Sequence, residues 1–281
     1  MTLASLLLVI CAASLHAGWN ALAKRGRDPV VFLWCATVAS TVMLIPFGVW
    51  IIARDGFRAA ALPFVGGTIM LHALYFYALG RAYGSGAYSL VYPVARGLGV
   101  ALVPLVALVV FDERLSALGT AGVMLVVLGI VSLHVLPPGT AAWPGRAILW
   151  PVLTGLTIAA YSILDKAGVG RLNPVAYMLL LMAGCALLGL PLLWVRADVV
   201  RREVAGWRTI VAAAVMSALA YTLVLFAFRL SKTGYVVAAR ELSIVLSAVI
   251  GSVWLREGRL GPRLAGATIV LAGVACLALA R

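Results

Sequence analysis

The stretch that decides the fold runs Tyr88-Ser-Leu-Val-Tyr-Pro-Val-Ala-Arg-Gly-Leu-Gly99, continues through almost purely apolar residues, and closes on Phe111-Asp-Glu-Arg114. A run this apolar belongs in lipid. It nevertheless carries Arg96, with Pro93, Tyr88, Tyr92 and the glycines Gly86, Gly97 and Gly99 around it. An arginine at membrane depth costs about 2.5 kcal/mol or more unless it faces protein, water or a ligand. Proline removes a backbone donor and bends a helix. Charge and bend in one span predict a helix that lines a cavity.

The same pattern returns in the second half. From Gly234 the chain reads Gly-Tyr-Val-Val-Ala-Ala-Arg-Glu241, then an apolar run, then Trp254-Leu-Arg-Glu257. Arg96 aligns with Arg240, Glu113 with Glu257, and Gly122 and Gly129 with Gly266 and Gly273, all at one offset. Upstream, Arg81 and Gly86 align with Arg229 and Gly234 once a short gap is allowed. Trp19-Asn-Ala-Leu-Ala-Lys24 matches Tyr161-Ser-Ile-Leu-Asp-Lys166, and Asp28-Pro-Val matches Asn173-Pro-Val. The order of these matches predicts an internal duplication, with repeats over residues 1–140 and 141–281.

Of the 281 residues, 64% are hydrophobic and only 11% charged, where soluble domains carry nearer 25% charge. With a mean hydropathy of +1.10, this is the composition of an integral membrane protein. The net charge of +13 would point to nucleic acid in a soluble chain. Here the basic residues are scattered over short loops without a nucleic-acid motif, as expected of arginines that hold topology and touch lipid headgroups. Cys11, Cys35, Cys185 and Cys276 fall within apolar runs, with no pairing or metal spacing. The first segment lacks a basic leader and a small-residue cleavage site, so it reads as a retained span.

About 20 apolar residues cross a bilayer. Ten such runs are expected, near 3–23, 30–52, 62–80, 86–111, 116–136, 147–168, 174–195, 207–229, 234–255 and 260–280. The expected fold is therefore all-α, ten transmembrane helices as two five-helix repeats. An odd number of spans per repeat forces the second repeat to enter the membrane inverted, a recurrent design of secondary transporters with the site near the midplane. If both termini were cytoplasmic, more loop Lys and Arg would lie outside than inside, so the positive-inside rule favours the reverse.

Polar residues inside spans mark the expected cavity. The residues singled out for substrate are Trp19 and Asn20 on the first span, with His16 on the same face; His72 and Tyr75 on the third; and Tyr88, Tyr92 and Arg96 on the fourth. Tyr161 on the sixth, with Ser162 and Asp165 near it, Tyr221 on the eighth beside Ser217, and Arg240, Glu241 and Ser243 on the ninth complete the set. Gly86, Pro93, Gly97 and Gly99 are the expected hinge. Tyr83, Tyr161 and Trp254 can equally be interfacial belts, and His134 sits at a span end. The two arginines differ in their neighbours. Glu241 follows Arg240 and would neutralise it, leaving Arg96 free for a substrate carboxylate, whereas a buried ion pair is the competing reading for all three. The glycine pairs suit close helix contact, within the molecule or in a homo-oligomer through the fifth or tenth span.

These features resemble the drug/metabolite transporter superfamily, in its ten-span EamA-type branch. The resemblance covers the whole chain and rests on the two five-span repeats, the Arg/Lys-ended first hairpin, and the acids Asp112-Glu113-Arg114 and Arg256-Glu257 that close an apolar span in each repeat. It implies cytoplasmic termini, a location in the bacterial inner membrane, and a cavity lined by the first, third, fourth, sixth, eighth and ninth spans. Within the branch the chain resembles bacterial exporters of amino acids, aromatic ones included. The small four-span relatives use a glutamate in the first span, and no acid stands in this one. The expected function is a secondary transporter of small metabolites working by alternating access among membrane lipids, with no cofactor, metal or nucleic-acid partner. Uptake or multidrug transport on the same fold is the alternative. A membrane-embedded enzyme is disfavoured, because three scattered histidines form no metal or nucleophile–base set.

Overall fold

A computed structural model describes residues 1–85, 88–135, 148–246 and 260–280, excepting the side chains of 85, 88–93, 133–135 and 260–264. Gly86, Trp254 and Glu257 lie outside the described residues, as do the side chains of Tyr88, Tyr92, Pro93 and His134. The helices are α1 (Leu3–Arg25), α2 (Pro29–Asp55), α3 (Leu62–Ser85), α4 (Tyr88–Phe111), α5 (Ala117–Val135), α6 (Leu149–Val169), α7 (Pro174–Leu188), a single turn α8 (Leu192–Val195), α9 (Ala197–Val204), α10 (Trp207–Leu230), α11 (Thr233–Arg240) and α12 (Leu260–Leu279). Seven helices among the described residues are long and apolar enough to cross a membrane; the apolar parts of α5 and α12 are shorter.

The helix starts follow from local chemistry. Asp28 caps α2, its carboxylate accepting from the Val30 and Val31 amides, and Asn173 caps α7 by accepting from Val175. Proline follows each cap, where its missing N–H costs nothing. The C-terminal ends are tied by lysines. Lys24 at the end of α1 donates to the Tyr83 carbonyl at 2.8 Å, and Lys166 near the end of α6 donates to the carbonyls of Phe228 and Ser231 at 2.5 and 2.9 Å. Both lysines satisfy carbonyls left without partners at a helix terminus. At one end of the bundle, Glu113 accepts from the Thr233 amide at 2.6 Å and its hydroxyl at 3.0 Å, and lies 3.6 Å from Lys166. It therefore caps α11 from outside that helix.

The helices add detail to the expected runs. Helix α3 continues past residue 80 to Ser85. The seventh run spans Pro174–Val195 as expected, and its helix is interrupted at Gly189, Leu190 and Pro191 between α7 and α8. A side chain at Gly189 would sit 2.0 Å from the Trp34 ring, whose indole N–H donates to the Ala186 carbonyl at 3.0 Å. The connection over 196–206 contains α9, anchored by Arg196 against Asp28 at 2.7 Å and by Glu203, which accepts from the Asp28 amide at 2.6 Å. The ninth run breaks at Glu241, and helix resumes over 242–246.

Helix α1 packs on α10, α3 and α4 on α6, α2 on α7, and α5 on α12. The last contact uses the paired glycines. A Cβ on Gly122 would lie 2.9 Å from the Gly273 carbonyl oxygen, and one on Gly129 would lie 2.9 Å from that of Gly266. The glycine faces that the sequence also offers to a second copy are thus covered within the chain. Gly97 and Gly99 belong to the same class. They face Ile130 of α5 and Ile158 of α6, within an α4 that runs helical from Tyr88 to Phe111. In this structure both positions are close-packing contacts.

The α5–α12 seam should tolerate no added atom. Gly129→Ala should cost about 1–3 kcal/mol through overpacking against backbone. Gly66→Ala, where nothing lies within 4 Å, should be neutral or stabilising by up to about 1 kcal/mol. Thermal unfolding of both variants in one detergent checks the contrast.

Candidate functional site

The aromatic residues of four helices converge. The His72 ring of α3 stacks on Tyr161 of α6 with centroids 4.0 Å apart, and Tyr221 of α10 meets it edge-on at 5.2 Å. Tyr75 meets Tyr161 edge-on at 5.5 Å. With His16 and Trp19 of α1 and Met178 of α7, these rings enclose a cavity of about 20 Å³, room for roughly one water. Edge-to-face and offset stacks of this kind contribute about 0.5–1.5 kcal/mol per pair beyond area burial. The walls therefore hold their shape around an apolar space fringed with hydroxyl and imidazole groups.

Of the residues singled out from the sequence, Trp19, His72, Tyr75, Tyr161 and Tyr221 line this cavity. Asn20 does not. Its side-chain N–H donates to the His16 carbonyl at 2.8 Å and its oxygen accepts from the Tyr83 hydroxyl at 2.6 Å, so it locks α1 to α3. Tyr83 is accordingly buried, as is Tyr161, and neither is an interfacial belt. Ser243 is buried beyond the α11 break. Sequence reasoning missed Phe76, Met178 and Met182, which line the cavity as apolar residues without any polar signal.

The charged residues correct the expectation most. Glu241 does not neutralise Arg240. It accepts from Arg96 in a two-pronged pair, Nε to Oε2 at 3.0 Å and Nη2 to Oε1 at 2.5 Å, with Glu241 1% exposed. Arg96 presents two N–H donors to both carboxylate oxygens in a fork geometry. Arg96 approaches from α4 and takes the carboxylate. Arg240, 1% exposed, makes one long contact from Nη2 to the Tyr161 hydroxyl at 3.4 Å, and its guanidinium sits 5.8 Å from the Tyr221 ring centroid. Its Nε and Nη1 have no hydrogen-bond acceptor among the described residues. It stands within electrostatic reach of Asp165 and Glu241 but hydrogen bonds neither. Among the described residues Arg240 is thus the guanidinium without a carboxylate hydrogen bond, and it lies against two of the rings that wall the cavity.

Among the described residues no three His, Cys, Asp or Glu side chains are placed to share a metal ion.

Two family models match the chain. Residues 145–279 match the EamA-like transporter family, and residues 29–126 match the Small Multidrug Resistance protein family. No curated protein matches it. A crystal structure of another protein, 16% identical, superposes with a TM-score of 0.71 over 99% of this chain and 97% of its own. At that identity the likeness is one of fold.

The two arginines separate by stability. Arg96→Gln strands the buried Glu241 charge and should cost about 3–5 kcal/mol. Arg240→Gln strands no hydrogen-bonded acid and should cost under about 1 kcal/mol. Chemical or thermal unfolding of both variants in the same micelle measures the difference; equal losses would mean that Glu241 leans on Arg240 as heavily as on Arg96.

Proposed function

We propose that this chain, which matches two transporter families over parts of its length, is a small-molecule membrane transporter of the drug/metabolite transporter superfamily and moves small zwitterionic metabolites across the bacterial inner membrane, with amino acids, aromatic ones among them, as the substrate class. The observation that carries this reading is Arg240. A buried guanidinium with two nitrogens that find no acceptor among the described residues is held at a high desolvation cost, and a substrate carboxylate is the group that would complete it in a fork geometry. The stacked rings of His72, Tyr75, Tyr161 and Tyr221 beside it would take an aromatic side chain face or edge. Arg96 and Glu241 then hold the two halves together rather than contact substrate. Export is the direction the family resemblance suggests.

The mechanism we propose is alternating access between two inverted five-helix repeats, residues 1–140 and 141–281, forming ten spans. Three observations support the duplication. The caps Asp28 and Asn173, each followed by Pro-Val, open the second helix of each half. Lys24 and Lys166 tie the third long helix of their own half through matching carbonyls, Tyr83 and Ser231. Helix contacts also exchange as a two-fold axis requires, with α1 on α10 answered by α6 on α3. The water-sized cavity is then the closed state, and substrate enters when the halves part.

Calorimetric binding to the purified protein tests Arg240. Phenylalanine should bind wild type, and phenethylamine, which lacks the carboxylate, should bind less tightly. Arg240→Gln should weaken phenylalanine binding by roughly 10–100-fold, the worth of a charge-assisted hydrogen-bond pair. Unchanged affinity in the variant would remove Arg240 from the site.

A further inference from the structure

Asp165 is wholly buried, 0% exposed, on α6. Its Oδ1 accepts from the Thr68 hydroxyl of α3 at 2.5 Å and the Tyr177 hydroxyl of α7 at 2.8 Å, and its Oδ2 accepts from the Tyr221 hydroxyl of α10. All three donors are neutral. Its neighbour Lys166 is turned away to the carbonyls of Phe228 and Ser231 and to Glu113. The other titratable groups around it are Tyr161 on its own helix, Cys185 of α7 and Arg240 of α11; from α4, Arg96 is held by Glu241. A carboxylate at this depth without a hydrogen-bonded cation is expensive, and such residues mark ion pathways.

The tautomer of His72 makes the arrangement more specific. Its Nδ1 lies 2.9 Å from the Thr68 hydroxyl and 3.1 Å from the Thr68 carbonyl. A carbonyl oxygen only accepts, and the Thr68 hydroxyl hydrogen is already given to Asp165, so the hydrogen-bond network assigns the ring hydrogen to Nδ1. In the neutral ring Nε2 is then a bare acceptor, 4.0 Å from Asp165 Oδ2. Two acceptors face each other across a gap that one proton would turn into a charge-assisted hydrogen bond.

We propose that His72 and Asp165 form a proton-binding site, in which a proton taken from solution sits on His72 Nε2 against Asp165 Oδ2, and that its loading strengthens the binding of a carboxylate in the adjoining cavity. The second half of the statement rests on the substrate reading above. The link is direct: the same His72 ring walls the cavity and stacks on Tyr161, the residue Arg240 touches. The unloaded pair carries a net negative charge and the loaded pair carries none, so loading removes a repulsion from the substrate's carboxylate. By linkage, substrate must favour loading to the same degree.

Three measurements test this on the whole 281-residue chain. In lightly buffered detergent solution, adding phenylalanine should draw protons from the medium, up to one per protein, while calorimetry on the same sample records binding. Its affinity should tighten as pH falls, by at most about tenfold per pH unit for one linked proton. Asp165→Asn and His72→Gln should each flatten that dependence, whatever their absolute affinity. Binding without proton uptake in wild type would overturn the linkage and leave the substrate reading standing. If phenylalanine does not bind, the substrate reading fails, and infrared difference spectra between high and low pH still decide the proton site. A histidine band absent from His72→Gln and a carboxylate band altered in Asp165→Asn support it; a wild-type titration with neither a buried-histidine nor a carboxylate signal refutes it.

Discussion

Where α11 breaks, one carboxylate and two guanidiniums meet in surroundings that solvate none of them. At low local dielectric a fork-shaped Arg–Glu pair is strong once formed and ruinous when half removed. Glu241 can satisfy one such fork, and Arg96 of α4 takes it. This sets much of the rest. It joins α4, from the first half of the chain, to the turn after α11, from the second. It also leaves the second guanidinium, Arg240, with Tyr161 and Tyr221 as its neighbours. The two arginines, aligned in sequence, thus differ in their partners because a single acid follows only one of them.

Much of the helical frame was legible because its signals are local. Asp28-Pro-Val and Asn173-Pro-Val announce helix starts, and the apolar runs between them are long. The site was legible in its residue types, since rings and charges inside lipid stand out. Its pairings were not, because Thr68, Tyr177 and Tyr221 reach Asp165 from three other helices, and nothing in their spacing reveals that. The Arg240–Glu241 pairing was misread for the same reason, since Arg96, which takes the carboxylate, comes from another helix.

Breaks in the chain fall at glycine and proline in one place, residues 189–191, and without them in another. Gly97 and Gly99 let α4 approach α5 and α6. The helix gives way instead at Glu241, where no glycine or proline stands. There the Glu241 amide reaches back to the Ala238 carbonyl at 3.1 Å, a three-residue step that tightens the last turn. The break aims Glu241 at Arg96, so the departure from regular helix and the burial of charge are one feature.

The cap on α11 differs from the central pair in one respect that matters to how the molecule is regulated by its surroundings. Glu113 and Lys166 keep 11% and 23% of their side-chain surface exposed, while Arg96 and Glu241 keep 2% and 1%. Dissolved ions screen charges they can approach and leave sealed ones alone. Ionic strength should therefore weaken the Glu113–Lys166 contact at the rim more than the sealed Arg96–Glu241 pair at the centre.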